Sequence, residues 1–411
     1  MIEADSLSKG GVAETAEAFL SHAADLEPVL HAFRQIDAGR LRTDAAALDA
    51  LPVEKRGPLF GMTVAVKEVF DVSGYVCGWG SPIHDDRRPT ADAAAVACLK
   101  AAGAVIAGIT VSTEYAMSRP GPTTNPFDSL RTPGASSQGS AAAVGAGLVS
   151  AALGSQTIGS IIRPASYCGC IGFKSTWGTI AVDGSMPLSA PLDHVGFLAA
   201  DPNVAEALLD VLMPGPDSEL PETGIVLAPW YREATASAVR DAVTDAADRL
   251  AAKGVPFRAD TLPAWIADTE AETLDRLLAH DMARHHGGDF DAHGDLMSER
   301  VRDFVRRGRA ITAVAYEEAL ARREDIAAGL DAWIGEGIVL MPATTDVAPL
   351  RSDGTGPREP QRLWTLAGLP AMTVPFAMAG GLPVGVQIVA RRGADRRVMA
   401  VARRLFNAPV A

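Results

Sequence analysis

Between Thr132 and Ile162 the chain runs for 31 residues without a charged side chain. Few environments accept such a stretch. It is long enough to span a bilayer, yet it is filled with Gly, Ser, Thr and Gln, and Pro133-Gly134 stands at its start. A membrane span would need apolar residues in those places. The run therefore reads as loop, helix and loop at the buried centre of a soluble protein, with no membrane partner expected.

The rest of the chain agrees with a large buried core. Of its 411 residues 48% are hydrophobic and 21% charged, ample for one big α/β unit or for two or three domains. A formal charge of −13, with Arg396-Arg397 and Arg403-Arg404 as isolated basic pairs, argues against a nucleic-acid partner. Cys77, Cys98, Cys168 and Cys170 are too few and too unevenly spaced for a disulfide framework. Cys168 and Cys170 also miss the usual zinc and redox spacing, so buried thiols and no metal are expected. The start, Met1 to Asp5, lacks the basic and apolar segments of a signal peptide, which predicts a cytoplasmic protein.

Hydrophobic periodicity predicts helices over Glu14 to Phe33 and Thr90 to Ala102, and strands at 61–67 and 104–109. Residues 203–213 read as a short amphipathic helix, and 232–335 as charged and mostly helical. Strand-like runs return at 338–342, 371–375 and 384–389. The expected fold is α/β, a central mixed, twisted sheet covered by helices on both faces.

Three features can carry chemistry. Lys67 ends the apolar run Val64-Ala65-Val66. Burial there would make it a usable general base, since desolvation lowers a lysine pKa by up to about 3–5 units; a lysine snorkelling out at a strand end is the plainer alternative. The loop Gly134-Ala135-Ser136-Ser137-Gln138-Gly139-Ser140 precedes an apolar helix, Ala141 to Leu148. It lacks both phosphate-binding fingerprints, and small side chains packed against a core helix are the simpler reading. In Gly154-Ser155-Gln156-Thr157-Ile158-Gly159-Ser160-Ile161-Ile162-Arg163-Pro164 the proline favours a first helical turn, placing Ser160 near a helix start. Ser160 is then either a bare N-cap or a nucleophile whose neighbouring backbone N–H groups converge on an oxyanion.

Taken together and in this order, these segments resemble the amidase signature family. Lys67 matches the family's base in V-A-V-K-[DE], Ser136 the cis-peptide serine of T-P-G-G-S-S-G-G-S, and Ser160 the nucleophile of G-S-x-T-x-G-S, 24 residues further on. The match extends to Glu114-Tyr115-Ala116, Tyr167-Cys168-Gly169, Gly172-Phe173-Lys174, Leu192 to Gly196, Ala367 to Ala371 and Gly381 to Gln387. The resemblance implies a serine amidohydrolase: Lys67 takes a proton from Ser136, Ser136 takes one from Ser160, and an acyl-enzyme forms on Ser160. Thr157, Ile158, Gly159 and Ser160 would supply the oxyanion hole. Neither cofactor nor metal is implied, and the substrate would be a small amide. A homodimer is the ordinary expectation.

By the same resemblance the chain is one domain over residues 1–411. It would comprise an N-terminal helical segment (1–55), a catalytic core (61–200), a mostly helical insertion shaping the pocket (216–337) and C-terminal strands completing the sheet (338–405). Departures from the family pattern are Ala135 and Gln138 for glycines, Ile158 for glycine or alanine, and Gln156 for aspartate. Arg163 stands three residues after the nucleophile, as in the malonamidase-like branch. There it would bind a substrate carboxylate or be a buried structural arginine, with Gln156 and Ser137 as further substrate contacts. Competing readings are a metal hydrolase using His280, His285 and His286, a Ser6-Lys9 dyad near the N-terminus, and an amidotransferase-type or non-catalytic subunit that needs a partner protein.

Overall fold

Val64 and Val66 face one hydrophobic core and Ala65, between them, faces another. This is the period-two alternation of a strand buried on both sides. The computed structural model describes residues 11–117, 120–227 and 235–407; the Ser6-Lys9 pair lies outside them. Its strands are β1 (Phe33–Gln35), β2 (Thr63–Lys67), β3 (Val105–Thr110), β4 (Ala151–Gln156), β5 (Ile171–Lys174) and β6 (His194–Ala199). They are followed by β7 (Gly224–Leu227), β8 (Phe257–Asp260), β9 (Ile338–Pro342), β10 (Ala371–Ala379) and β11 (Leu382–Val389).

All of these form one sheet in the order β1-β3-β2-β4-β6-β5-β10-β11-β9-β7-β8. The trios β3-β2-β4 and β9-β7-β8 are parallel inside, and the strands between and outside them pair antiparallel. One face is lined by small residues, Ala65, Ala107 and Ala152, which let the helix Gln138–Gly145 approach through Ala141, Ala142 and Ala143. Helices Val12–Leu30 and Ala38–Asp49 close that face. The other face carries larger residues and the helices of the middle segment. The α/β fold with helices on both faces is as expected. Among the described residues no helix is long and apolar enough to cross a membrane.

The structure differs from the reading of the uncharged run in one respect. Ala151–Gln156 is a central strand, β4, where loop was expected. Its Ala-Ala-Leu-Gly-Ser-Gln sequence has no β-branched residue, so only its position between β2 and β6 holds it extended. Among its described residues, the segment 216–337 contains four helices, Ser237–Ala251, Ala264–His293, Glu299–Arg309 and Ala313–Ile334. It also gives the sheet its last two strands, β7 and β8, so it is woven into the core as well as laid over it.

Candidate active site

The parallel strands β2 and β4 end side by side, at the carboxyl edge where open α/β sheets place ligands. Lys67 is the last residue of β2 and has no exposure to solvent. Its Nζ donates to Ser136 Oγ at 2.7 Å and to Ser155 Oγ at 2.9 Å. Burial pushes its pKa from 10.5 down to about 7, against the opposing pull of the Glu68 and Asp193 carboxylates. At neutral pH a large fraction of Lys67 is therefore an uncharged amine, able to accept a proton.

The loop before the helix Gln138–Gly145 brings Ser136 to this lysine. The Ala135–Ser136 peptide bond is cis, and Gly134 has φ +85° with Pro164 so close that a Cβ would come within 2.9 Å of its Cα. The Ser137 N–H donates to the Ser160 carbonyl at 3.2 Å, which sets the Ser136–Ser137 loop beside Ser160. Ser137 Oγ turns inward and donates to the Ser155 carbonyl at 3.3 Å. Ser160 is half-buried, two residues before the helix Ile162–Cys168.

Residues 157–160 are fastened from behind. Thr365 Oγ1 donates to the Ile158 carbonyl at 2.6 Å and accepts from Gln156 Nε2 at 2.9 Å. Gln156 Oε1 accepts from the N–H groups of Ile161 and Ile162 at 2.8 and 3.0 Å. Thr157 Oγ1 donates to Asp193, whose carboxylate also accepts from the N–H groups of Leu188 and Ser189. Burial nevertheless pushes the Asp193 pKa up to about 6. Gly159 lies against Gln361, where a Cβ would sit 2.6 Å from Oε1. Among the described residues the N–H groups of Ile158, Gly159 and Ser160 meet no acceptor, so three donors remain for an incoming oxygen.

Lys67, Ser136, Ser137, Ser160 and the 157–159 loop thus come together. Gln156 and Arg163 face inward. Gln156 is 1% exposed, and its amide is engaged by the three protein partners above. Arg163, also 1% exposed, donates to the carbonyls of Gly356 at 2.6 Å and Ala135 at 2.8 Å. It ties the Ser136 loop to the segment before the helix Glu359–Leu366.

Sequence reasoning missed Ser155, Gln361 and Thr365. Ser155 sat in view inside the Gly154 to Ser160 motif, whereas Gln361 and Thr365 just precede the Ala367 to Ala371 motif. Two of the three histidines considered as ligands are otherwise engaged. His280 stacks on Tyr316 with ring centres 4.0 Å apart, and His286 pairs with the Pro187 carbonyl at 2.9 Å. Among the described residues no three His, Cys, Asp or Glu side chains converge to hold a metal ion.

A profile of the Amidase family matches residues 14–263. The chain is 32% identical to the A-type subunit of the glutamyl-tRNA(Gln) amidotransferase of Thermus thermophilus, over 95% of its own length and 92% of that protein's. It is 30% identical to amidase 1 of Oryza sativa subsp. japonica, over 87% of this chain and 92% of the other. A crystal structure of an amidase superposes with a TM-score of 0.86 at 30% identity, covering 97% of this chain and 96% of that one.

Proposed function

The chain belongs to the amidase family, whose members break or transfer C–N bonds, and we propose that it hydrolyses a small carboxamide through an acyl-enzyme on Ser160. The observation that carries this reading is the buried Lys67 amine within hydrogen-bond distance of Ser136, with its pKa near neutrality. The Nζ lone pair takes the Ser136 hydroxyl proton while Ser136 Oγ takes that of Ser160. Ser160 Oγ then bonds to the amide carbon, and the carbonyl oxygen gains charge against the N–H groups of residues 158–160. The C–N bond breaks as the proton returns through Ser136 to nitrogen, releasing ammonia or an amine. Water attacks the ester by the same relay in reverse and frees the acid. Ser155 Oγ, accepting from Lys67, orients the amine so that its lone pair meets Ser136. Arg163, Gln156 and Thr365 hold the two loops in register.

The test is ammonia release from neutral and acid amides by the purified chain, with Ser160→Ala and Lys67→Ala as controls. Release abolished by both substitutions supports the reading; full activity in either overturns it. The similarity to one subunit of an amidotransferase favours a second reading, action as part of a complex. Folded protein that releases ammonia only when a partner protein is added would establish that one.

A further inference from the structure

The loop 157–160 is held from two sides, and one stripe of a single helix reaches both holds. Glu270, Leu274, Leu277 and Asp281 are all buried on the helix Ala264–His293. They follow one another at four, three and four residues, so they share one face. Leu274 packs beside Ile158, the two lining one small cavity. Leucines on such a face need only close packing. The two carboxylates, each 1% exposed, need partners.

Glu270 accepts from Arg362 Nε at 3.0 Å. Arg362 lies on the helix Glu359–Leu366, in sequence between Gln361, which packs on Gly159, and Thr365, which bonds the Ile158 carbonyl. Glu270 thus grips the helix that backs the loop.

Asp281, about three turns further on, reaches the other side. Its Oδ2 accepts from Ser189 Oγ at 2.8 Å and from Tyr316 OH at 3.2 Å, and its Oδ1 lies 3.4 Å from His280 Nδ1. Among the described residues neither Lys nor Arg forms an ion pair with it. Ser189 has no exposure to solvent, and its N–H donates to Asp193 Oδ2 at 2.9 Å. Its carbonyl also accepts from the N–H groups of Leu192 and Asp193, both at 2.8 Å, so a shift of Ser189 carries Asp193 with it. Asp193 Oδ1 in turn accepts from Thr157 Oγ1 at 2.7 Å. Three short hydrogen bonds therefore join Asp281, in the middle segment, to the first residue of the loop. Tyr316, on the helix Ala313–Ile334, bonds the same carboxylate but stands outside this path.

We propose that Asp281 is a positioning residue for the oxyanion loop, acting through Ser189 and Asp193 to hold Thr157. The proposal rests on the acyl-enzyme reading, in which the N–H groups of residues 158–160 meet the developing charge. Such donors act only when aimed in advance, so a loosened loop slows the attack on a bound reagent more than it weakens binding.

The test is the labelling of Ser160 in the full chain by an alkyl fluorophosphonate, followed by intact mass and peptide mapping. Ser160 Oγ bonds to phosphorus, fluoride leaves, and the hydroxyl proton passes to Ser136 as that of Ser136 passes to Lys67; no amide is required. Asp281→Ala is expected to lower the maximal labelling rate about tenfold, with the half-saturating reagent concentration within about twofold of wild type. Asp281→Asn, whose amide oxygen accepts the same two hydroxyl bonds, should return the rate to within about twofold. Ser189→Ala should lose as much as Asp281→Ala, and the double variant no more than either. Tyr316→Phe should stay within about twofold of wild type. Circular dichroism checks folding, and if Asp281→Ala does not fold, Ser189→Ala against Tyr316→Phe decides. A rate unchanged in Ser189→Ala, equally lowered in Tyr316→Phe, or as slow in Asp281→Asn as in Asp281→Ala would overturn the proposal alone. Wild type left unlabelled at Ser160 would instead overturn the acyl-enzyme reading, and the proposal with it.

Discussion

Replacing Lys67 with methionine should make the protein's stability depend less steeply on pH, by an amount that the burial of the amine sets. In the unfolded chain this lysine has a pKa of 10.5; in the folded protein it is about 7. Between those values the folded state holds fewer protons than the unfolded one, so stability rises as pH rises. The burden of the buried ammonium is greatest below pH 7 and fades toward pH 10.5. With these two values, linkage gives a penalty of about 5 kcal/mol at pH 6 and about 2 kcal/mol at pH 9. Lys67→Met removes the penalty at both, while leaving Ser136 and Ser155 without their nitrogen partner, a loss that does not vary with pH over this range. Lys174, pushed to about 7 in the same way, is present in both proteins and drops out of the difference. The stability of Lys67→Met relative to wild type should therefore be about 3 kcal/mol more favourable at pH 6 than at pH 9. Urea unfolding followed by tryptophan fluorescence at the two pH values measures it. A difference that stays constant within about 1 kcal/mol would show that Lys67 titrates as an ordinary lysine, and the base assigned to it would have to be found elsewhere.

Three further outcomes are expected. On a neutral amide, kcat/KM should fall about tenfold per pH unit below pH 7 as Lys67 takes up its proton; a profile flat down to pH 5 would count against a lysine base. Arg163→Ala should depress kcat on neutral and anionic amides alike, roughly a hundredfold, because it frees the Ala135 and Gly356 carbonyls and loosens the Ser136 loop; a loss confined to anionic amides would return Arg163 to substrate binding. Thr365→Val keeps the shape but removes the donor from the Ile158 carbonyl. It should destabilise the protein by about 1–3 kcal/mol and lower kcat more than it raises KM, checked by urea unfolding and steady-state kinetics.

How much of this could be read from the chain alone depended on distance along it. Lys67, Ser136 and Ser160 each sit in a local pattern whose residue types declare a chemical need: a cation after apolar residues, small residues where two segments touch, a serine ahead of a helix. β4 was hidden because nothing in Ala151 to Gln156 prefers an extended backbone; its neighbours impose it. Arg163 was visible as unusual, but its direction was not, since the Gly356 carbonyl that claims it lies 193 residues away. Thr365 and Gln361 read as ordinary polar residues near a motif. Only tertiary contact turns them into the back wall of the 157–160 loop.

The bond from Thr365 to Ile158 reaches back across 207 residues, and translation meets its two ends in that order. While the chain is being made, the lysine, both serines and the loop between them leave the ribosome long before the helix that braces the loop. β5 likewise waits for β10 to cover its flank. On the acyl-enzyme reading, a nascent chain therefore carries Ser160 before the brace that sets its neighbouring N–H groups, and activity would await the docking of the last third. On that reading the fold's own order of assembly separates synthesis from activation.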